Sequence, residues 1–318
     1  MVYNKRQWKA WIYLAPALIL MAVFTLWPMI NTIRMAFLND YGLMSEHGGT
    51  VFKVGIANFV KVLQYKRFLS CLTTTMLLCV LTVPISTMLA LLISVCLNSI
   101  KFLNRFLQTI YFLPYVTNSI AIGMVFAAMF NIVGTIVSPD LGNSSNIIVT
   151  AGIINNIIEF FGGQPIVWIN AGSTYAANIA VMVIYIVWNA LPFKILVLLG
   201  GLQSVNKQYY DAAKVDGTSR VRTFFRITVP LLSPMIAYVV ITGFIGGFKE
   251  YSSVVGVFGP EMGPVGDSKR LNTMVGFIYD ALENDNQGRA SAAALILFVI
   301  IFIVTMINLY VSRKRTHY

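Results

Sequence analysis

The residues of this chain that could do chemistry are few, and most of them interrupt long apolar runs. Tyr115, Asn118 and Ser119 follow Pro114, Trp188 and Asn189 precede Pro192, and Gly247, Glu250 and Tyr251 close a glycine-rich stretch that begins at Gly243. An ionisable group at a bilayer midplane costs about 2.5 to 3.5 kcal/mol, so polar residues inside apolar runs are candidates for function by default. Tyr115 stands three residues before Asn118 and four before Ser119, a spacing that predicts one shared helix face. Aromatic rings beside hydroxyl and amide groups suit a sugar, whose rings offer apolar faces and many hydroxyls. Trp188 and Tyr251 equally suit an aromatic belt at the membrane surface, and the glycines equally suit helix packing. Lys249 with Glu250 equally marks the outer end of a span, and Lys194 is expected near a span end as well.

Catalysis has little material. His47 and His317 lie far apart, and Cys71, Cys79 and Cys96 sit in or beside one apolar stretch without metal-ligand spacing, which reads as packing. There is no G-x-x-x-x-G-K-[ST] phosphate loop. A membrane-embedded protease or glycosyltransferase needs paired carboxylates, a Ser/His pair or an acidic metal site within its spans. Here Asp211 and Asp216 fall in a loop, and the other acids fall in outer segments or at the end of the fifth apolar run. The expectation is a chain that is not an enzyme and binds neither metal nor cofactor.

The elements that must position these residues are membrane helices. Of the 318 residues, 57% are hydrophobic and 11% charged, with a mean hydropathy of +0.74, more apolar surface than a globule of this size can hide. The net charge of +11 lies in short clusters between apolar runs, without the continuous basic face that nucleic acid requires. Six runs approach the roughly 20 residues a spanning helix needs: 11–33, 72–97, 106–130, 175–199, 231–248 and 291–311. The basic start with Lys5, Arg6 and Lys9 resembles a secretory signal, but the apolar run is too long, so it reads as a retained first span. With the N-terminus cytoplasmic, 13 of the 23 lysines and arginines fall inside and seven outside, which places both termini inside. The first outer loop, with four basic residues, fits that rule poorly. The loop 131–174 has no lysine or arginine, and 147–161 is long enough for a short helix on or in the outer face. Asn143-Ser144-Ser145 matches a glycosylation acceptor, a tripeptide too common to carry weight.

Between the fourth and fifth runs stands Tyr209-Tyr210-Asp211-Ala212-Ala213-Lys214-Val215-Asp216-Gly217. Lys207, Asp211 and Lys214 fall on one side, so 206–216 predicts a short amphipathic helix ended by Gly217. Thr218 or Ser219 can cap a second helix with Val221, Phe224 and Phe225 on one face, running until Pro230 opens the next span. The simplest reading is an interfacial loop whose arginines meet anionic lipid.

The spacing points elsewhere. Asp211-Ala-Ala, three residues, Gly217, nine residues, then Ile227-x-Val-Pro230 resembles the E-A-A signature of ABC importer permeases, with aspartate for glutamate and Val229 for leucine. Trp27-Pro28, Gly55-Ile-Ala-Asn58-Phe59, Phe112-Leu-Pro114-Tyr115, Trp188 to Phe193, Gly201-Leu-Gln203-Ser204 and Gly288-Arg-Ala-Ser291-Ala292 extend the likeness along nearly the whole chain, to the carbohydrate and glycerol-phosphate permeases of the maltose-transporter type. The resemblance implies an all-α type I importer permease fold, one transmembrane domain over 1–318 in a bacterial cell membrane, with an ATPase-docking loop at 206–230. It implies coupling through Tyr210, Asp211, Ala212, Ala213, Asp216, Gly217, Phe224 and Pro230. It implies substrate contacts at Tyr115, Ser119 and Glu250, to which the polar and aromatic pattern of the same apolar runs adds Asn118, Trp188, Asn189, Gly247 and Tyr251 as candidates. The expected partners are a second, similar permease, two ATP-binding subunits that hold ATP and Mg, an extracytoplasmic binding protein and lipid. The solute is a sugar, a polyol phosphate or another small polar molecule. A channel is the remaining alternative, and it leaves the docking loop without purpose.

Overall fold

The structure, a computed structural model, describes residues 7–42, 52–100, 106, 109, 110, 115, 117–131, 135, 136, 147, 148 and 152–315. The histidines, Phe112, Pro114 and the Asn143 acceptor lie outside them. The chain packs as two compact units, residues 1–69 with 275–299, and residues 70–274 with 300–318.

In the first unit α1 (Gln7–Met21) continues through a π-helical turn, Ala22–Leu26, into α2 (Trp27–Phe37). The turn stands just ahead of Pro28, whose ring displaces the carbonyl four residues back and makes room for the wider loop of chain. Nothing in the most apolar stretch of Trp11–Phe37 is buried by protein, as a lipid-facing helix requires. Below it α3 (Ala57–Gln64) is locked by Asn58, which is 1% exposed. Its Nδ2 donates to the carbonyls of Ala36 (3.1 Å) and Leu38 (2.7 Å), and its Oδ1 accepts from the Asp40 N–H (3.2 Å). The Gly288 N–H bonds the Tyr41 carbonyl at 2.9 Å, and Phe277 meets Tyr65 and Phe68 edge-on or tilted at 5.8 and 5.9 Å. The expected Gly55 to Phe59 and Gly288 motifs thus meet as the packing centre of this unit.

The second unit is built on α4 (Lys66–Ser99), α5 (Ser119–Phe130), α6 (Ile153–Phe160) and α7 (Tyr175–Ser204), followed by α8 (Lys207–Val215) and α9 (Arg220–Thr223). A second π-helical turn, Phe224–Thr228, precedes Pro230 as the first precedes Pro28, and α10 (Val229–Leu231), α11 (Ser233–Phe248) and α12 (Ser252–Phe258) follow. Helix α13 (Met274–Glu283) and the long α14 (Gln287–Arg315) complete the chain. The only strands among the described residues are a two-residue antiparallel pair, Thr135 with Ile148 and Ile136 with Ile147. Leu78, Phe126, Met182, Tyr185 and Val254 centre one core, while Ala90, Ile195, Leu198 and Val239 centre another.

Six spans are expected from the sequence. Among the described residues four helices are long and apolar enough to cross a membrane: Trp11–Phe37, Lys66–Ser99, Tyr175–Ser204 and Gln287–Arg313. A fifth is completed only if Arg220–Leu231 and Ser233–Phe248 count together across a 69° bend. The bend corrects the expectation that Pro230 opens the span. Pro230 and Pro234 both lack N–H donors, so the helical ladder breaks between them and resumes at Ser233. In the third run the helix Ser119–Phe130 has 12 residues, and 106, 109, 110 and 115 are also helical.

Four hydroxyls inside α4 bond the backbone of their own helix. Thr75, Ser86, Thr87 and Ser94 each donate to the carbonyl four residues back, at 2.8, 2.5, 2.7 and 2.6 Å.

Candidate functional site

The walls of α4, α7 and α11, together with the chain around Tyr115 and Ser119, enclose a cavity of about 420 Å³. Tyr115, Ser119, Asn189, Gly247 and Glu250, five of the eight residues expected to contact substrate, line it. The remaining three do not. Asn118 has an extended backbone (ψ 124°) and caps α5, its side chain accepting from the Ile120 N–H at 2.8 Å. This corrects the expectation of one face shared with Tyr115 and Ser119, because helix register starts only after the cap. Trp188 packs on Phe126, ring centroids 5.3 Å apart, and Tyr251 packs against the core around Val254.

The cavity polar groups are tied to one another. Tyr185 donates its hydroxyl to the Ser119 carbonyl at 2.6 Å and lies 3.0 Å from Ser119 Oγ, which also accepts from Asn189 Nδ2 at 3.4 Å. The Tyr115 ring stacks on Phe193 at 5.9 Å and 17°, giving an aromatic surface beside these groups. Glu250 follows the end of α11 in a turn, where its Oε1 accepts from the Ser253 N–H at 3.1 Å. Lys249, the C-cap of α11, is exposed and lies outside the cavity.

Lys194 is the main residue the sequence misplaced. It lies within α7, not at its end, and only 4% of it is exposed. Its Nζ donates to the Val83 carbonyl (3.2 Å), Ser86 Oγ (2.7 Å) and Thr87 Oγ1 (2.9 Å), all on α4. A Cβ at Gly243 would sit 3.2 Å from that nitrogen, so glycine here lets α11 close over the ammonium. Ser86, Thr82, Thr117, Thr242 and Ser253 also line the cavity without having been singled out. The available signal was the pair of hydroxyls at Thr82 and Ser86, four apart on an apolar helix.

The second feature is the knob between α7 and α11. Asn206 caps α8, accepting from the Gln208 N–H at 3.0 Å, and Ser219 caps α9, accepting from Arg222 N–H at 3.4 Å. Gly217 has φ +65°. Its N–H bonds the Lys214 carbonyl (3.1 Å) and the next N–H, of Thr218, bonds the Ala213 carbonyl (2.9 Å), the paired closure of a Schellman motif. Ala213 is buried, Tyr210 and Phe224 are half-buried, and Asp211, Ala212, Asp216 and Pro230 are exposed. Val215, Val221 and Phe225 are 88%, 68% and 64% exposed, an apolar surface on a short polar element.

A family model described as "Binding-protein-dependent transport system inner membrane component" matches residues 54–317. The chain is 30% identical over 314 residues to the arabinooligosaccharides transport system permease protein AraP of Halalkalibacterium halodurans, covering 98% of this chain and 89% of that one. It is 27% identical over 309 residues to the lactose transport system permease protein LacF of Rhizobium radiobacter, covering 96% and 94%. Among solved structures it is similar to a chain of a bacterial ABC transporter involved in the import of the acidic polysaccharide alginate, with a TM-score of 0.74, 22% identity and 98% of each chain covered. At that identity the likeness is one of fold.

Proposed function

The chain belongs to the binding-protein-dependent transport system inner membrane components, and from that membership we propose that it is the permease subunit through which an ATP-driven importer moves a saccharide. The observation that carries the reading is a hydroxyl- and amide-lined cavity with an aromatic wall, set among apolar spans. A volume of about 420 Å³ lies within the range of ligand pockets. The saccharide transport names of AraP and LacF support the same class of cargo. ATP is hydrolysed on separate subunits, in keeping with a sequence that has no phosphate loop. The knob, residues 206–230, docks onto those subunits, and both chain termini share its cytoplasmic side. A second permease completes the pathway, and an extracytoplasmic binding protein delivers the cargo. ATP binding displaces the knob and opens the cavity outward, and hydrolysis returns it.

The test is purification of the chain with its associated subunits from native membranes, followed by reconstitution. An ATP-binding subunit should co-purify, and lactose or an arabino-oligosaccharide presented on the binding protein should stimulate ATP hydrolysis. A chain that purifies without any nucleotide-binding partner would remove the reading.

A further inference from the structure

We propose that a groove between the start of α11 and the end of α14 binds one anionic phospholipid, with an acyl chain along the groove and the phosphate at its knob end. The inference takes from the importer reading only that these helices cross a membrane, and it needs nothing of the cargo.

The groove encloses about 450 Å³ and is separate from the cavity described above. Ser233, Ile236, Ala237, Val240 and Ile241 line it from α11, at the i, i+3, i+4, i+7 and i+8 spacing of one helix face. The cavity uses a different face of the same helix, that of Thr242, Gly243, Gly246 and Gly247. Asn308 and Ser312, four apart on α14, line the opposite side of the groove, and Val229 and Pro230 carry it to the edge of the knob.

Polarity is graded along its length. From Ser233 to Ile241 the α11 wall runs roughly 12 Å inward at 1.5 Å per residue, and past Ser233 that wall is wholly apolar. At the knob end Ser233 Oγ is buried and, among the described residues, has no hydrogen-bond partner. A buried hydroxyl left in that state is costly, and a phosphate or ester oxygen of a lipid would accept its proton.

The charge at the knob end has one sign. Arg226 stands three residues before Val229, and Arg313 directly follows Ser312. Both are exposed, and neither belongs to an ion pair among the described residues. Arg220, Arg222, Lys314 and Arg315 add to them in sequence, while 217–249 and 286–318 contain no aspartate or glutamate. A chain-length apolar slot that opens beside arginines at the membrane surface matches the order of parts in an anionic phospholipid. A span from a neighbouring subunit is the competing occupant. By the same bias of cations toward the cytoplasmic surface, its end would bring lysine or arginine against Arg226 and Arg313, whereas a phosphate brings the opposite sign.

The experiment is native mass spectrometry of the chain purified with the subunits that accompany it, delipidated in detergent and titrated with phosphatidylglycerol or phosphatidylcholine. Each basic residue beside an anionic lipid strengthens the attraction about fivefold, so the first phosphatidylglycerol should bind about tenfold or more tightly than phosphatidylcholine. Replacing both Arg226→Gln and Arg313→Gln should cut that ratio several-fold without removing phosphatidylcholine binding. Ala237→Trp, which fills the groove midway, should abolish the tight phosphatidylglycerol site with the subunit composition unchanged. Equal affinity for the two lipids in the wild type, or a ratio unmoved by the paired arginine change, overturns the inference. So does an Ala237→Trp complex that loses a subunit and keeps its lipid, since a neighbouring helix would then own the groove. Should the tryptophan variant fail to fold, the exposed arginine pair decides alone. Absence of a nucleotide-binding subunit from the preparation would sink the importer reading, and the titration of the remaining chain would still decide the lipid site.

Discussion

Replacing Gly217 with valine should uncouple the knob while leaving the membrane helices folded. The backbone there has φ +65°, and no heavy atom lies within 4 Å of the position a Cβ would take. Sterics with neighbours therefore contribute nothing, and the effect is conformational alone. An L-residue in the left-handed region costs about 1 to 2 kcal/mol, with β-branched residues at the upper end. About 2 kcal/mol corresponds to roughly a 30-fold shift in the fraction of chains that hold the turn. The turn keeps the Gly217 and Thr218 N–H groups on the Lys214 and Ala213 carbonyls, so its loss redirects α9 relative to α8. Association with the ATP-binding subunit should weaken by up to that factor. Asparagine, which tolerates this region, should come close to wild type, and alanine should fall between. Asp211→Lys should have a smaller effect, because it changes only an exposed pair with Lys214 at 3.5 Å. The assay is titration of the purified permease with the ATP-binding subunit, read with stimulated ATP hydrolysis. A valine variant that holds and stimulates its ATPase as well as the asparagine variant refutes the argument.

Two further outcomes follow from the same geometry. Asn155, 1% exposed, bridges the Ile166 carbonyl (3.0 Å), the Ile166 N–H (3.1 Å) and Trp168 Nε1 (3.0 Å). Asn155→Ala should loosen residues 152–174 by about 2 to 3 kcal/mol, given about 1 kcal/mol for each bond lost, seen as faster amide exchange confined to that segment. Unchanged exchange there would show that the bonds do not hold the loop. Reporters fused after Tyr318 and within 209–227 should both read cytoplasmic and one near Ser144 should read outside, and the reverse pattern would invert the proposed orientation.

What was legible in the sequence was local. The knob is specified by residues close together in the chain, so Gly217 and Ser219 took the roles expected of them, while Asn206, expected as the first helical residue, caps α8 instead. The apolar runs were equally plain, although hydropathy measures bilayer thickness and not helix length. Hence α4 starts at Lys66 and ends at Ser99, beyond the expected 72–97 at both ends. Lys194 was misread because a lone cation within a span is costly, and its three acceptors lie more than 100 residues earlier in the chain. Asn118 was misread for a different reason. Spacing alone cannot separate a helix face from a helix cap, and the asparagine side chain took the backbone donor nearest to it.

The two features meet through α7. From Asn189 in the cavity wall to Ser204 at the edge of the knob the helix runs unbroken, roughly 22 Å at 1.5 Å per residue. Past the knob the chain turns through 69° into α11, whose Thr242 and Gly243 form another wall of the same cavity. The knob is therefore the connection between two cavity walls. Those walls are not held alike. Three hydrogen bonds from Lys194 fix α7 to α4, whereas α11 meets α7 through apolar contacts around Val239 and meets α4 at Gly247 and through a weak Cys79 thiol contact to the Phe244 carbonyl at 3.7 Å. Apolar surfaces can shear past one another at small cost, but the α7–α4 pair cannot part without stranding a buried ammonium. Under the proposed docking, a force on the knob would act most easily at the α11 seam, where the cavity has its glycines. The same asymmetry separates Gly217 from Lys194: altering the turn changes the knob and leaves the walls standing, while altering the lysine loosens the walls themselves.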